Sequence, residues 1–436
     1  MVVNVSTNRY RTSSLQRSVA ERTTTGLGDG SYKMARNSIR RTMISPGEDA
    51  TDRARELLDA ATADPAQISL AHVVELLVLG NPETRRLAMK CLEATLDVRP
   101  EASEAAVTAF ERLLEDGDPH VRRRAALSAG AAIQGADTES FEALVPPLEA
   151  IGSDPAEPGR DAAVRALATI GLERPESVTG AVELLLDVCH ARVVSAESPA
   201  DASPGASSSV GPERDRRLAT RVQAMAGLTR IAAERPETIV GHVDQVVALL
   251  EDDHHLIRSG TCEVLESLAE GHSDKVAPFV PALVDRLASD TDHPVPWRAA
   301  DALNAVGGEY PELVGAALGS VVDDIDALLK RRDPGIRGVG IGLLTYVTQV
   351  DPSSVEGLLP RVHELLADDH APVRANAALT LGLTGYGDAV DDLEVLVADD
   401  PEPAVRDAAT RALERLEGEN EPSPEHVHEN RPVDNH

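Results

Sequence analysis

The sequence predicts an all-α protein, an α-α superhelix (a solenoid) of about nine stacked helix pairs. Three observations carry this. A short pattern recurs nine times with a period near 38 residues. Each copy continues into small and apolar residues at helical spacing. Proline marks the junctions between copies, where a helix has to stop.

The recurring pattern opens with Asp or Asn, often followed by Pro, then an apolar residue and Arg. Small and apolar residues follow three and seven positions later. It reads Asn81-Pro82…Arg85…Ala88…Leu92 and then Asp118-Pro119-His120-Val121-Arg122…Ala125…Ala129. Further copies centre on Arg160, Arg221, Arg258, Arg337, Arg374 and Arg406. One copy takes Pro296 in the arginine slot, because Ala299 and Leu303 then fall in register. Successive spacings are 37, 38, 61, 37, 38, 41, 37 and 32 residues.

Each copy reads as two helices. The first ends in an apolar run followed by acid, as in Leu113-Leu114-Glu115-Asp116, Leu249-Leu250-Glu251-Asp252 and Leu365-Leu366-Ala367-Asp368. The second starts at the motif, where Asp118, Asp292 or Asp333 can accept the free N–H groups and Pro fits the first turn. Pro100, Pro175, Pro236, Pro311 and Pro352 then force the chain out of one unit and into the next.

This pattern resembles the HEAT repeat family, including the shorter HEAT-like repeats of phycobilisome lyases, over residues 66–416. The resemblance implies that second helices line a concave face, and that motif Asp and Arg residues form a ladder between neighbouring repeats. It implies a binding scaffold rather than a reaction centre. Pro296 departs from the pattern and removes its own rung. Residues 48–63 read as an extra helix that caps the first repeat, so the solenoid is expected over 48–416.

Three segments fall outside the array. Residues 195–212 are rich in Ser, Ala, Pro and Gly, and read as a disordered insert that accounts for the 61-residue spacing. Residues 417–436 form a polar, acidic tail without periodicity. Residues 1–47 read as a basic, disordered arm: a contact for nucleic acid or lipid, or sequence upstream of a native start at Met34 or Met43.

Charge narrows the function classes. The chain holds 42 Lys+Arg against 73 Asp+Glu, a net charge of −31, with 2% aromatics. Such a balance opposes sequence-independent binding to phosphate backbones. The acidity reads as adaptation to a saline cytoplasm, such as that of a salt-adapted archaeon, or as a surface made for a basic partner. No apolar run approaches a membrane span. Cys91, Cys189 and Cys262 are far apart and read as reduced core thiols, consistent with a cytoplasmic protein.

Candidate site residues come from the second helices. Twelve-residue windows from each motif position hold 17 Lys+Arg against eight acids. One reading is a basic groove for an acidic protein segment or a phosphate backbone, with Arg85, Arg86, Lys90, Arg122, Arg123, Arg124 and Arg165 at its centre. The other is internal pairing, since eight of the 17 are the repeat arginine itself. Trp297 with Arg298 reads either as an exposed anchor or as filler beside the missing arginine. His120, His254, His255, His293 and His370 recur one repeat apart, too far to share an ion, and read as turn residues.

Chemistry is not indicated. HEAT-repeat deoxyhypusine hydroxylases carry His-Glu pairs on successive repeats. This array holds one, His363-Glu364. No P-loop, G-x-S-x-G or dinucleotide fingerprint is present. The expected function is therefore a non-enzymatic scaffold or adaptor that binds another protein, with no cofactor, metal or small-molecule substrate. The alternatives are a nucleic-acid-associated factor using repeats one to four, and a lyase-like or oxidoreductase HEAT protein.

Overall fold

The computed structural model describes residues 50–99, 103–133, 138–191, 210–292 and 294–419. The expectations for the basic arm, most of the insert, most of the tail and His293 lie outside the described residues. Among the described residues all regular structure is helical. The helices pack as two compact units that divide between Arg235 and Pro236.

The N-terminal unit starts with α1 (Ala50–Ala63). Four helix pairs follow: α2 (Leu70–Leu79) with α3 (Pro82–Val98), α4 (Ser103–Leu114) with α5 (Pro119–Ile133), α6 (Val145–Ser153) with α7 (Arg160–Glu173), and α8 (Val182–His190) with α9 (Val210–Glu234). Helix α1 covers the open side of the first pair, and Thr51 meets Thr84 of α3 at 3.1 Å. The Asn81 side chain caps α3 by accepting the Thr84 N–H at 2.9 Å. Helix α9 takes in Val210, Gly211 and Pro212, which composition had assigned to the insert.

The C-terminal unit holds α10 (Val243–Ala248) with α11 (His255–Val276), and α12 (Val280–Ser289) with α13 (Pro294–Gly307). Next come α14 (Pro311–Leu318), α15 (Val322–Leu329) and α16 (Pro334–Val350), then α17 (Leu359–Glu364) with α18 (Ala371–Leu383), and α19 (Val390–Asp399) with α20 (Pro403–Glu419). Repeat seven thus has three helices rather than the expected two. Gly319 and Ser320 break its first helix into α14 and α15, which uses its longer 41-residue spacing. Helix α20 also runs through residues 417–419, the first three assigned to the tail.

The small residues in the motif explain how second helices approach one another. Ala125, Ala129, Ala163, Leu167, Leu265, Leu344, Ala377 and Leu381 are all fully buried. Gly382 shows how close the contact is: a Cβ there would lie 2.5 Å from the Ala412 backbone. A large side chain at these positions would pry neighbouring second helices apart.

Candidate partner-binding face

Each well-formed repeat turn is organised by one carboxylate. In repeat eight, Asp368 Oδ1 accepts the His370 N–H at 2.9 Å. The same carboxylate takes Arg337 Nε and Nη2 of the preceding repeat at 2.7 and 2.9 Å. Its backbone carbonyl accepts Arg374 Nη1 at 2.8 Å. Asp400 repeats this with the Glu402 N–H, Arg374 and Arg406. Asp116 does so with the Asp118 N–H, Arg85 and Arg122.

The ladder implied by the resemblance is therefore present, with a correction. In four rungs the carboxylate is the acid that ends the first helix, six residues before the motif position of its own repeat, and in the Arg122 rung it is Glu157, three before Arg160. In none of these is it the motif Asp. Asp118 and Asp333 serve their local turns, at 2.8 Å from the His120 and Gly335 amides. Asp292 is an accessory, at 2.7 Å from Arg258 Nη2, while Asp290 takes the bidentate contact at 2.5 and 2.9 Å.

At Asp400 and Asp290 a paired guanidinium makes the carboxyl more acidic. Arg374 holds Asp400 below the usual carboxylate range. Burial pushes Asp290 up, but the Arg258 and Asp292 N–H bonds outweigh it and the net shift is down. The rung is lost between repeats six and seven. Pro296 supplies no guanidinium, and the position six before Arg337 is Arg331 rather than Asp, so both halves are lost together.

This geometry sorts the sequence-predicted residues. Arg85 and Arg122 are rung arginines, at 2.7 Å from Asp116 and 2.5 Å from Glu157. Arg124 pairs with Glu93, which also accepts the Ser128 hydroxyl. Arg298 stacks over the half-buried Trp297 ring at 4.2 Å and lies 3.6 to 4.0 Å from Glu263, Glu266 and Asp301. These four cations hold carboxylates of the chain itself.

Arg86, Lys90, Arg123 and Arg165 differ. Lys90 is exposed and the three arginines are half-buried, and none makes an ion pair with a described residue. Arg86 and Arg123 follow their rung arginines by one position; Lys90 and Arg165 follow theirs by five. Positions four apart share one helix face, so these cations fall in one register on α3, α5 and α7. Asp161 is the acid at the same register.

Other candidates settle into local roles. Cys91, Cys189 and Cys262 are free and buried, and burial pushes the Cys91 and Cys262 thiols up to about 12. His254 Nδ1 accepts the Leu256 N–H at 3.3 Å and stacks on His255. His363 Nε2 lies 2.7 Å from Asp392. Among the described residues no three His, Cys, Asp or Glu side chains are placed to hold a metal ion, and no helix is long and apolar enough to cross a membrane.

Residues 325–414 match the family model of HEAT repeats. The match runs from within α15 to within α20 and spans the Arg337–Asp368 and Arg374–Asp400 rungs. No curated protein matches the sequence. Among solved structures, an engineered protein of the Northeast Structural Genomics Consortium superposes with a TM-score of 0.65 at 20% identity, covering 88% of this chain and 99% of its own. A computationally designed armadillo repeat protein for modular peptide recognition gives 0.41 at 20% identity, covering 54% and 99%. The first likeness shows an all-α repeat fold. The same Arg–carboxylate rung recurs upstream of the matched segment, at Arg85–Asp116 and Arg258–Asp290.

Sequence reasoning missed two features of these helical repeats. The rung carboxylates Asp116, Asp290, Asp368 and Asp400 had a visible signal, lying six residues before the next motif position, whereas Glu157 lies three before Arg160. Asp301, 7% exposed and pushed up to about 8 by burial and then by Glu266, had none.

Proposed function

We propose that the chain is a non-enzymatic scaffold that binds an acidic segment of another protein along the second helices of its first three repeats. The observation that supports this is the common register of Arg86, Lys90, Arg123 and Arg165. These cations are not consumed by the ladder, in a chain of net charge −31. Keeping unpaired cations on successive helices of so acidic a protein creates a local positive field that the rest of the surface repels from competing sites. Each contact is a charge-assisted hydrogen bond, and the repeat spreads several along one partner segment.

The test is affinity purification from native cell extract with the wild-type chain and with the variant R86Q/K90Q/R123Q/R165Q. Proteins captured by the wild type and lost from the variant support the reading. Identical captures sink it. Filter binding of DNA and RNA at low salt runs beside it. Tight, steeply salt-dependent retention by the wild type would replace the protein partner with a nucleic acid.

A further inference from the structure

Arg160 is a motif arginine without a rung although a further repeat follows it. Arg85, Arg122, Arg258, Arg337 and Arg374 each hold a carboxylate from the following turn. Arg160 Nε donates to the Gly152 carbonyl at 2.9 Å, and its guanidinium meets no carboxylate among the described residues. The cause lies in the next repeat. The position six before Arg221 is Asp215, but α9 already runs from Val210, so Asp215 is exposed within a helix instead of standing in a turn.

The space beside Arg160 is a cavity of about 420 Å³ between repeats three and four. The Pro155–Pro158 turn, Ala191 and Thr220 form its walls, and Arg217 and Arg221 line it together with Arg160. Its acids are Asp161 and Glu157, and Glu157 already takes Arg122 through Oε2 at 2.5 Å. The first turn of α7 opens into it, and Gly159 at its start offers no side-chain cap to the free amides. Arg160 and an uncapped helix start therefore face one open cavity, with Arg217 and Arg221 on its wall and Arg221 Nε and Nη2 donating to the Cys189 carbonyl at 2.9 and 2.7 Å.

We infer that this cavity takes a carboxylate from an acidic side chain of the partner, which completes the rung on Arg160. This rests on the proposed function and deepens it, since it names the side-chain chemistry and the anchoring point. Both Nη groups of Arg160 are left to pair end-on with a planar carboxylate, the acceptor that every other rung uses. The basic face of α3, α5 and α7 would then collect the segment, and the cavity would fix its register.

Fluorescein-labelled hexaglutamate is the probe, titrated against the full chain by fluorescence anisotropy at constant salt. Arg160→Gln removes the cation. Ala156→Trp fills the cavity mouth from an exposed wall position and keeps all three arginines. Each is expected to weaken binding by about tenfold without lowering the melting temperature. If both bind like wild type while R86Q/K90Q/R123Q/R165Q loses the peptide, the cavity is not the anchor and the acidic-segment reading survives. If the wild type itself fails to bind, both inferences fall. Displacement of the peptide by inorganic phosphate at lower concentration than by glutarate would overturn the carboxylate assignment.

Discussion

Tyr346 sits so close over Gly307 that a Cβ on the glycine would come within 2.3 Å of its ring. The ring is fully enclosed, its hydroxyl donates to the Asn304 carbonyl at 3.4 Å, and the Tyr346 backbone presses equally close on Gly315. This contact falls where the Arg–carboxylate rung is missing, between Pro296 and Arg331. A buried aromatic knob in a glycine-lined hole thus holds repeats six and seven together, where a salt bridge joins repeats seven to eight and eight to nine.

Gly307→Ala should therefore be costly although alanine is the better helix former. The overpacked methyl costs about 1–3 kcal/mol or more, against a propensity gain of about 1 kcal/mol. Gly271, also in a helix but with open space around it, is the control. Its alanine variant should be neutral or up by about 1 kcal/mol. Urea melts of the two variants side by side check this, and equal midpoints would show that the hole relaxes freely.

The rungs themselves should be strong because both partners are removed from water. Arg374 and Asp400 side chains are 12% and 3% exposed. Asp400→Asn leaves a buried guanidinium without its charge partner and should cost about 3–5 kcal/mol. Hydrogen exchange is the suitable readout, since protection should fall first in α18 and α20. Asp392→Asn, on an exposed side chain, should leave exchange there unchanged.

Much of this fold was legible in the sequence because its determinants are periodic. The arginine, the small residues three and seven positions on, and the proline at each junction recur at fixed offsets, and physical periodicity survives sequence drift. The mistaken ladder carboxylate came from the same source. Asp118, Asp292 and Asp333 looked like rung partners because they adjoin the motif. The true partners, Asp116, Asp290 and Asp368, belong to the turn before it, and only the side-chain path across to the preceding repeat shows this. Arg298 was unreadable for a different reason. Asp301 stands three residues on in the same helix, but Glu263 and Glu266 lie on α11, and no local spacing brings those two to Arg298.

Core truncations should follow the cavity rule. Leu265 and Leu344 are both fully buried at the +7 position of second helices. Replacing either with Ala should cost about 2–5 kcal/mol, the upper end where rigid helix neighbours cannot collapse into the space. Thermal melts followed by far-ultraviolet circular dichroism measure it, and a loss below about 1 kcal/mol would mean that the stack relaxes as a loose bundle does.

The buried Asp301 gives the chain a pH dependence of definite sign. Its carboxyl is pushed from 3.8 up to about 8, by burial first and then by Glu266, with Glu263 and Asp333 adding and Arg298 opposing. Between about pH 4 and 8 the folded chain holds a proton at this site that the unfolded chain has lost. Stability from this group therefore falls as pH rises through that window and levels off above about 8. Asp301→Asn carries no ionisable proton and escapes the penalty, so its melting temperature should gain on the wild type from about pH 5 to pH 8 and level off above that. Trp297, the single tryptophan, lies under Arg298 beside this cluster and gives a second readout. Its fluorescence should titrate with a midpoint near 8 in the wild type and not in the variant. Parallel melting curves for the two proteins across that range would show that Asp301 ionises freely and is not buried as described.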